Sequence, residues 1–588
     1  MWTAVALAAV VLAATWLGTR ALEVRAELTA ASELVPRLKA EIERADASAA
    51  AATLEMFKTH SALARSATDD PLWSAAGAVP WIGPNFRALQ DVAESADEVA
   101  QSAAGPLLGI YQTLDWQSLA PGPEGIDLAP LVVAQPILAE ASQAIGAASD
   151  RLDQIDAAAL IPQLSGPVVA ARDEVRVLKE SLRTAADVAL VAPAMAGGQN
   201  PRSYLLLVQN NAEARATGGI PGFLAILDVY KGKLTLGAQR STSAVGVMSP
   251  VIPVDPEQQE IYSGRLGKFI QSVNLTPDFP TAAATAQAMW ERESGQHVEG
   301  VISLDPVALS YILGATGPVR ISDPDLQVLS GSGLPTELNA GNVVQTLLSD
   351  TYTKIGNPEL QDAYFAGVAR ETFLALSSTG TDSKKLLDAL ARGTNEGRLL
   401  VQSNFMQEQQ TLLKYRLSGS ATGPGIGPGQ FGAYFNDATG AKMDYYVKRT
   451  VQLIPACPAE SGQMTLRVTS TNTAPADAAT SLPSYVTGAG VYGVSPGSVQ
   501  TNIVAYGPPH SQTGNVTVNG AETTAAAYIH GRRPVQTVGM TLVPGQSGTV
   551  DFTFENINQD IAASLAVTPG VQDVSDVIQP AQAVTCSS

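Results

Sequence analysis

Arginine and carboxylate side chains gather at the ends of predicted strands in the middle of the chain. Glu213 and Arg215 lie in the stretch SYLLLVQNNAEARATGGIPG (203–222), Arg240 follows the next pair of strands in GAQRST, and Asp278 precedes a predicted helix. Guanidinium groups bind phosphate oxygens in bidentate fashion, and carboxylates can hold a hydrated Mg²⁺ that neutralises a pyrophosphate. These residues are therefore candidates for a phosphoryl-transfer site.

If this is an enzyme, we expect Arg215 and Arg240 to clamp a pyrophosphate, and Glu213 and Asp278 to serve in metal binding or proton transfer. Mg²⁺ is the expected cofactor, although the residue types alone do not identify the metal. The alternative is structural, with Glu213 and Arg215 paired at the surface and the glycines supplying a turn. Two arginines more than about 15 Å apart could not share one pyrophosphate.

Other catalytic devices have no signature in this sequence. The four histidines are scattered and form no i, i+4 pair, and no G-x-S-x-G nucleophile elbow is present. The stretch TGPGIGPGQFG (422–432) is rich in glycine, but it lacks the lysine and the following helix of a phosphate-binding loop. We interpret residues 421–432 as a linker.

Composition sets broad limits on the protein. A chain of 588 residues predicts about three or four domains. The formal net charge of -19 gives an acidic surface, whereas phosphate backbones select surfaces rich in Lys and Arg. Nucleic acid is therefore not an expected partner, and the oligomeric state is not indicated.

The N-terminus predicts a membrane anchor. Residues 1–19 carry no charged side chain, and as a helix they would cross about 27 Å of hydrocarbon. A cleaved signal peptide is the alternative. Arg20 and Arg25 follow the segment, which opposes an extracytoplasmic body unless a longer basic leader precedes Met1.

Cysteine usage favours an oxidising compartment. The two cysteines, Cys457 and Cys586, bracket the C-terminal region, and a disulfide between them would fit an extracytoplasmic location. Two buried free thiols are the alternative.

The periodicity of apolar residues predicts a multidomain α+β chain. Residues 20–198 carry Ala-rich helical stripes typical of a membrane-proximal stalk. Residues 199–420 alternate strands and helices, as in an α/β domain. We expect a hairpin turn at KGK (231–233), a helix at 280–294 and a strand at GVISLD (300–305). The two asparagines of the NNAEAR motif are expected to end the first strand. Residues 433–588 contain short strands separated by turns, which predicts an immunoglobulin-like β-sandwich.

The central region resembles a known family. The NN-E-R-x-TGG core, the D-F-P-x-A helix start and the V-x-x-LDP…L…TGP segment are similar to the domain of unknown function 4012 family of bacterial, often actinobacterial, envelope proteins. The similarity covers about residues 200–415, and the flanking regions also suit that family. The resemblance implies a cell-envelope protein without an assigned activity.

A more distant similarity is to the LytR–CpsA–Psr enzymes. These transfer phosphate-linked glycopolymers from polyprenyl-pyrophosphate carriers to peptidoglycan, and they carry R-x-D-T and P-R-D-T elements. In QRST (239–242), Arg240 matches the family arginine and Ser241 replaces the aspartate; Arg215 matches the first arginine, but ATGG offers no aspartate.

This resemblance implies a LytR–CpsA–Psr-like central domain at the extracytoplasmic face of the membrane. Such a protein would bind or transfer a polyprenyl-phosphate-linked glycan, with a cell-wall acceptor as second partner. The alternative is a non-catalytic envelope scaffold that binds glycan or protein and has a degenerate enzyme-like domain. An elongated apolar pocket beside the arginines would favour the lipid-linked ligand.

Overall fold

The computed structural model describes residues 2–44, 46–113, 116–119, 121–328, 333–377, 382–456 and 462–581. Both cysteines of the predicted disulfide, Cys457 and Cys586, lie outside these residues. Contacts between Cα atoms divide the chain into two compact units. The first comprises Met1–Asp115 with Asp127–Met195, and the second comprises Trp116–Ile126 with Ala196–Ser588.

The first unit is helical. Its helices are α1 (Trp2–Glu43), α2 (Ala47–Thr68), α3 (Pro71–Gly77), α4 (Gly83–Glu98), α5 (Gly105–Thr113), α6 (Ala129–Asp153) and α7 (Pro162–Met195), with a π-helical turn at Val99–Ala104. The predicted anchor, residues 1–19, falls at the start of α1. Among helices whose side chains are described throughout, α6 is the one long and apolar enough to cross a membrane by length and composition. Ala141 and Ile145 of α6 are nevertheless buried with Leu182 of α7, as in the core of a bundle.

The second unit contains a central five-stranded sheet in the order β3-β2-β1-β4-β7. Strands β1 and β4 are parallel, and the other pairs are antiparallel. The predicted hairpin at the KGK sequence is confirmed, because Tyr230 of β2 pairs with Lys233 of β3. The strands of the central sheet are β1 (Arg202–Arg215), β2 (Gly218–Tyr230), β3 (Lys233–Ser241), β4 (Gly300–Leu304) and β7 (Leu400–Ser403). Strands β5 (Val319–Arg320) and β6 (Glu337–Leu338) form a separate two-stranded sheet.

The prediction that the asparagines end the first strand is wrong. Strand β1 continues through the NNAEAR motif to Arg215, with shifts in its pairing to β2 at Val208/Gln209 and between Asn210 and Ala214. The polar residues are tolerated inside the strand because their side chains have buried partners. The Asn210 amide donates to the Tyr352 hydroxyl, and the Asn211 amide donates to Asp305 and to the Pro569 carbonyl.

Helices cover both faces of this sheet. The helices of this region are α8 (Pro256–Tyr262), α9 (Phe279–Ser294), α10 (Pro306–Thr316), α11 (Pro324–Val328), α12 (Val343–Gln345), α13 (Thr351–Lys354), α14 (Pro358–Leu376), α15 (Ser383–Asn395) and α16 (Met406–Leu412). The predicted helix at 280–294 is α9, and Asp278 is its N-cap. Successive side chains of a strand point to opposite faces of the sheet, so each strand contributes side chains to the packing on both faces.

The remaining strands form two further five-stranded sheets. One has the order β13-β12-β16-β10-β9 and the other the order β14-β15-β11-β8-β17. Phe431, Phe552 and Phe554 are buried in the core between them. These strands are β8 (Gln430–Asp437), β9 (Val447–Pro455), β10 (Met464–Asn472), β11 (Val499–Tyr506), β12 (Gln512–Val518), β13 (Ala521–Thr523), β14 (Ala526–His530), β15 (Arg533–Leu542), β16 (Ser547–Glu555) and β17 (Ser564–Val567), with short helices α17 (Ala478–Ser481), α18 (Ser484–Thr487) and α19 (Val574–Val577).

The far end of β1 contacts this C-terminal β region. The backbone N–H groups of Ala214 and Ala216 donate to the side chains of Asp444 and Asn436. The central sheet and the C-terminal sheets therefore share one compact unit, and residues from both can meet at one site.

Candidate functional site: an apolar cavity with a polar end

One face of the central sheet lines a cavity of about 510 Å³. A water molecule in the liquid occupies about 30 Å³. At that volume for each non-hydrogen atom, the cavity holds about 17 atoms. The volume lies in the range of small-molecule binding sites. The apolar lining from the strands comprises Leu206, Val208, Phe223, Leu227, Leu234, Leu236, Ile302 and Leu304.

Helix α14 forms the wall opposite the sheet. Its lining residues recur three and four positions apart, which places them on one helical face. They are Phe365, Val368, Ala369, Thr372, Phe373 and Leu376. Leu309 and Ile312 of α10 add to this wall. The apolar walls of the cavity are therefore built from regular elements.

A buried ion pair lies at one end of the cavity. The Lys442 ammonium group is 2.7 Å from a carboxylate oxygen of Glu213, and both side chains are at least nine-tenths buried. The Lys442 nitrogen also lies 4.8 Å from the ring centre of Tyr352 and 4.5 Å from that of Tyr485. All four residues line the cavity.

The surroundings of Lys442 keep it charged. Burial lowers the pKa of Lys442, but attraction to Glu213 and to the two tyrosines outweighs burial, so that the pKa is raised above its usual value. Burial also raises the pKa of Tyr352, which keeps its hydroxyl protonated. This end of the cavity thus presents a cation, a carboxylate and two phenols.

A second group of polar residues follows β3. Ser241, Thr242 and Ser243 line the cavity together with Gln271, whose side-chain amide donates to the Thr242 carbonyl. Ser241 and Thr242 belong to the QRST segment (239–242), in which Arg240 is the predicted phosphate ligand.

Part of the cavity lining lies in a segment that is similar to a known protein family. Residues 199–352 match the family model described as a protein of unknown function, DUF4012. A search of the curated proteins found no match to the chain. The DUF4012 segment includes the four strands β1 to β4, Glu213 and Tyr352, whereas Lys442 and Tyr485 lie outside it.

Arg240 lies on the other face of the central sheet. Its guanidinium carbon is 5.7 Å from the ring centre of Trp290 in α9, and one of its nitrogens is 4.0 Å from Glu293. Trp290 is buried in the core that covers that face. Arg240 is half exposed, and it is not part of the described cavity lining.

Arg215 is a buried structural residue. Its guanidinium group donates to the carbonyl oxygens of Ala214, Asp437 and Gln271. Arg215 pairs with Gly218 of β2, whereas Arg240 pairs with Leu224. Six residues along β2 correspond to about 20 Å. The structure therefore does not bring the two arginines together, and the expected pyrophosphate clamp is not formed by them.

Asp278 is occupied as a helix cap. Its carboxylate accepts hydrogen bonds from the backbone N–H and hydroxyl of Thr281, the hydroxyl of Ser420 and the N–H of Ala421. Glu213, the other predicted acid, is at the cavity but is paired with Lys442. In the described part of the chain, no group of three or more His, Cys, Asp or Glu residues is placed to hold a metal ion. These side chains do not fit a site for Mg²⁺.

A second buried acid adjoins the polar end. Burial and the neighbouring Asp444 raise the pKa of Asp437 to about 7. Asp437 precedes Lys442 by five residues, and its carboxylate accepts from the N–H groups of Thr439 and Gly440. These bonds shape the backbone that carries Lys442.

Sequence reasoning identified Glu213 but missed Lys442 and the two tyrosines. Lys442 is 229 residues from Glu213 along the chain, and no motif surrounds it. One local signal was available. GAKMDYY, which contains Lys442, follows the first strand after the glycine-rich stretch, and a loop at that position can contact the preceding domain.

Proposed function

We propose that this protein is a membrane-anchored cell-envelope protein that binds a polyprenyl-phosphate-linked glycan. The observation that carries the proposal is an apolar cavity between the central sheet and α14 with a buried lysine at one end. An amphiphile with an unsaturated chain and an anionic head matches both features.

The cavity volume sets how much of the lipid it holds. About 17 non-hydrogen atoms correspond to three or four isoprene units. A carrier with a longer chain would place only its head-proximal units in the cavity, between the sheet and α14, and would leave the rest outside.

The head group would meet Lys442. Its ammonium group has three N–H donors, and one of them serves Glu213 at 2.7 Å. A phosphate next to the pair would attract Lys442 and repel Glu213, so the net attraction is modest. The hydroxyls of Ser241, Thr242 and Ser243 supply neutral donors for phosphate or sugar oxygens.

Transfer of the glycan to a cell-wall acceptor is the catalytic form of this proposal. Binding has the stronger support, because Arg215 and Arg240 do not converge and Asp278 is occupied as a cap. A LytR–CpsA–Psr-like origin for the central domain remains part of the proposal. Its support is the resemblance to those enzymes in the order of strands and helices and in the QRST segment.

The second candidate function is a non-catalytic scaffold. Ser241 stands where the family motif has aspartate, and the buried hydrogen bonds of Arg215 give it a structural role. In this form, the immunoglobulin-like C-terminal region would bind glycan or protein. Residues 1–19 would anchor either form in the membrane at its extracytoplasmic face, where a Cys457–Cys586 disulfide could persist.

Titration calorimetry of the detergent-solubilised full chain with geranylgeranyl monophosphate tests the binding proposal. Ala369→Phe fills the cavity from α14, whereas Ala363→Phe adds the same ring on the exposed side of that helix. We expect Ala369→Phe to abolish binding and Ala363→Phe to leave it unchanged. Equal affinities of both variants would place the ligand elsewhere and overturn the proposal.

The uncharged alcohol geranylgeraniol tests the role of the head. We expect the phosphate to bind more tightly than the alcohol, and Lys442→Met to remove about a tenfold preference, or 1.4 kcal/mol. Tighter binding of the alcohol would keep the cavity as a lipid site but exclude the phosphate-linked carrier.

A further inference from the structure

An apolar turn projects from the helical unit between α3 and α4. On this α3–α4 turn, residues 78–82, the side chains of Val79, Trp81 and Ile82 are exposed. Trp81 is 93% exposed, the largest fraction among the large apolar residues described. Grouped apolar side chains on a surface mark a place of interaction.

The turn is held rigidly. The N–H of Gly83 donates to the Val79 carbonyl over 2.8 Å, and the Arg87 guanidinium donates to the Gly77 carbonyl. A Cβ at Gly83 would lie 2.4 Å from that same carbonyl oxygen, so only glycine fits there. Trp81 has a φ of 67°, which bulky residues rarely adopt. These contacts fix the backbone of the turn in the conformation that exposes its apolar side chains.

The base of the turn packs against the end of the apolar segment of α1. The indole N–H of Trp16 donates to the Asp70 carboxylate, the N-cap of α3, over 3.0 Å. Leu17 belongs to the same cluster as Trp73 of α3 and Phe86 of α4. Trp16 and Leu17 are among the last residues of the charge-free stretch.

The direction of α4 shows where the turn points. Phe86 lies in the cluster with Leu17, and further on Tyr111 of α5 donates to the Ile42 carbonyl over 2.6 Å. The path from α4 to α5 therefore runs in the same direction as α1. The turn precedes Gly83, the first residue of α4, so it lies beyond Phe86 on the side toward the residues of α1 that come before Leu17.

We propose that the α3–α4 turn inserts into the lipid bilayer beside α1. This inference rests on the anchoring of residues 1–19 in the proposed function. Tryptophan favours the boundary between lipid and water, and apolar elements beside a membrane anchor bury their apolar side chains there.

A bilayer fits this surface better than a protein partner does. Residues 78–86 contain no charged side chain, and the adjoining α1 surface exposes Val10, Val11 and Leu12. A protein interface carries a polar rim around its apolar centre, whereas here the apolar surface continues along α1 toward its N-terminus.

Spin labels on the full chain in lipid vesicles test the proposal. A nitroxide at Trp81→Cys should collide more often with oxygen than with a water-soluble nickel complex. One at Ser48→Cys, exposed at the opposite end of α1 and α2, should show the reverse ratio. Ile82→Cys repeats the test with Trp81 intact, and labelling of the chain without added cysteine measures the background from Cys457 and Cys586.

A label at Leu12→Cys separates this inference from the anchor. A lipid-like ratio at Leu12 with a water-like ratio at both Trp81 and Ile82 would overturn insertion of the turn and leave the anchor standing. Water-like ratios at all three would overturn both. Lipid-like ratios at Trp81, Ile82 and Leu12 support insertion of the turn beside α1, whereas lipid-like ratios at Trp81 and Ile82 with a water-like ratio at Leu12 would overturn the anchor and with it the insertion beside α1.

Discussion

The two faces of the central sheet use the same strands in opposite ways. Leu205 and Leu207 of β1 point toward α9 and are buried with Trp290, whereas Leu206 and Val208, one residue away, line the cavity. Alternation along a strand gives both faces apolar side chains. Helix α9 packs closely on one face, whereas the cavity lies against the other.

The difference lies in the helices rather than in the strands. Helix α9 brings small residues against the sheet, with Ala282, Ala283 and Ala286 fully buried, so its backbone comes close. Helix α14 presents Phe365 and Phe373 but leaves a space of about 510 Å³. Protein interiors are normally close-packed. An unfilled apolar face with a buried ion pair at its end is therefore where we expect a ligand.

The largest predicted effect contrasts one aromatic residue from each face. Trp290→Ala should lower the free energy of unfolding by about 3–5 kcal/mol, because it opens a cavity in a packed core. Phe373→Ala should cost about 1 kcal/mol, because that ring already borders empty space. Urea titration followed by near-ultraviolet circular dichroism measures both. Similar losses would show that the α14 face is as well packed as the α9 face.

Substitutions in the Lys442–Glu213 ion pair test the polar end of the cavity. Lys442→Met leaves Glu213 buried without its partner and should cost about 3 kcal/mol. Adding Glu213→Gln to this variant should restore most of the loss, because no uncompensated charge remains. The same urea titration compares the two. A double variant as unstable as Lys442→Met would mean that Lys442 stabilises the fold through its packing on Tyr352 and Tyr485 instead.

The same substitution on each face should have opposite signs. Ala283→Leu overfills the packed face and should cost about 1–3 kcal/mol. Ala369→Leu enters the cavity and should raise the free energy of unfolding by about 0.5–1 kcal/mol. Thermal unfolding with and without geranylgeranyl monophosphate checks both signs. A loss of stability in Ala369→Leu would indicate that α14 closes onto the sheet in solution.

Local pattern in the sequence predicted much of the fold. The KGK hairpin, α9 and the short β4 strand follow from alternation, turn residues and a Pro-led helix start. The end of β1 was missed, because asparagine disfavours strands unless a partner distant in sequence satisfies it. That partner for Asn210 is Tyr352, which no local window contains.

The site was predicted less well for the same reason. Glu213 was found because it lies in a distinctive motif, but its partner Lys442 comes from the β region beyond the glycine-rich stretch. The face toward which Arg240 points depends on strand register, since a shift of one residue moves a side chain to the other face. Sequence alone gives charge and motif, but not this register.

The smallest predicted effect concerns Arg240 itself. Arg240→Ala should lower the free energy of unfolding by no more than about 1 kcal/mol, since it loses a half-exposed contact with Glu293 and the edge of a cation–π contact with Trp290. Because the sheet separates Arg240 from the cavity, the affinity for geranylgeranyl monophosphate should not change, whereas Lys442→Met should weaken it. Titration calorimetry on both variants is the measurement. Loss of affinity in Arg240→Ala together with unchanged affinity in Lys442→Met would move the phosphate site to the α9 face.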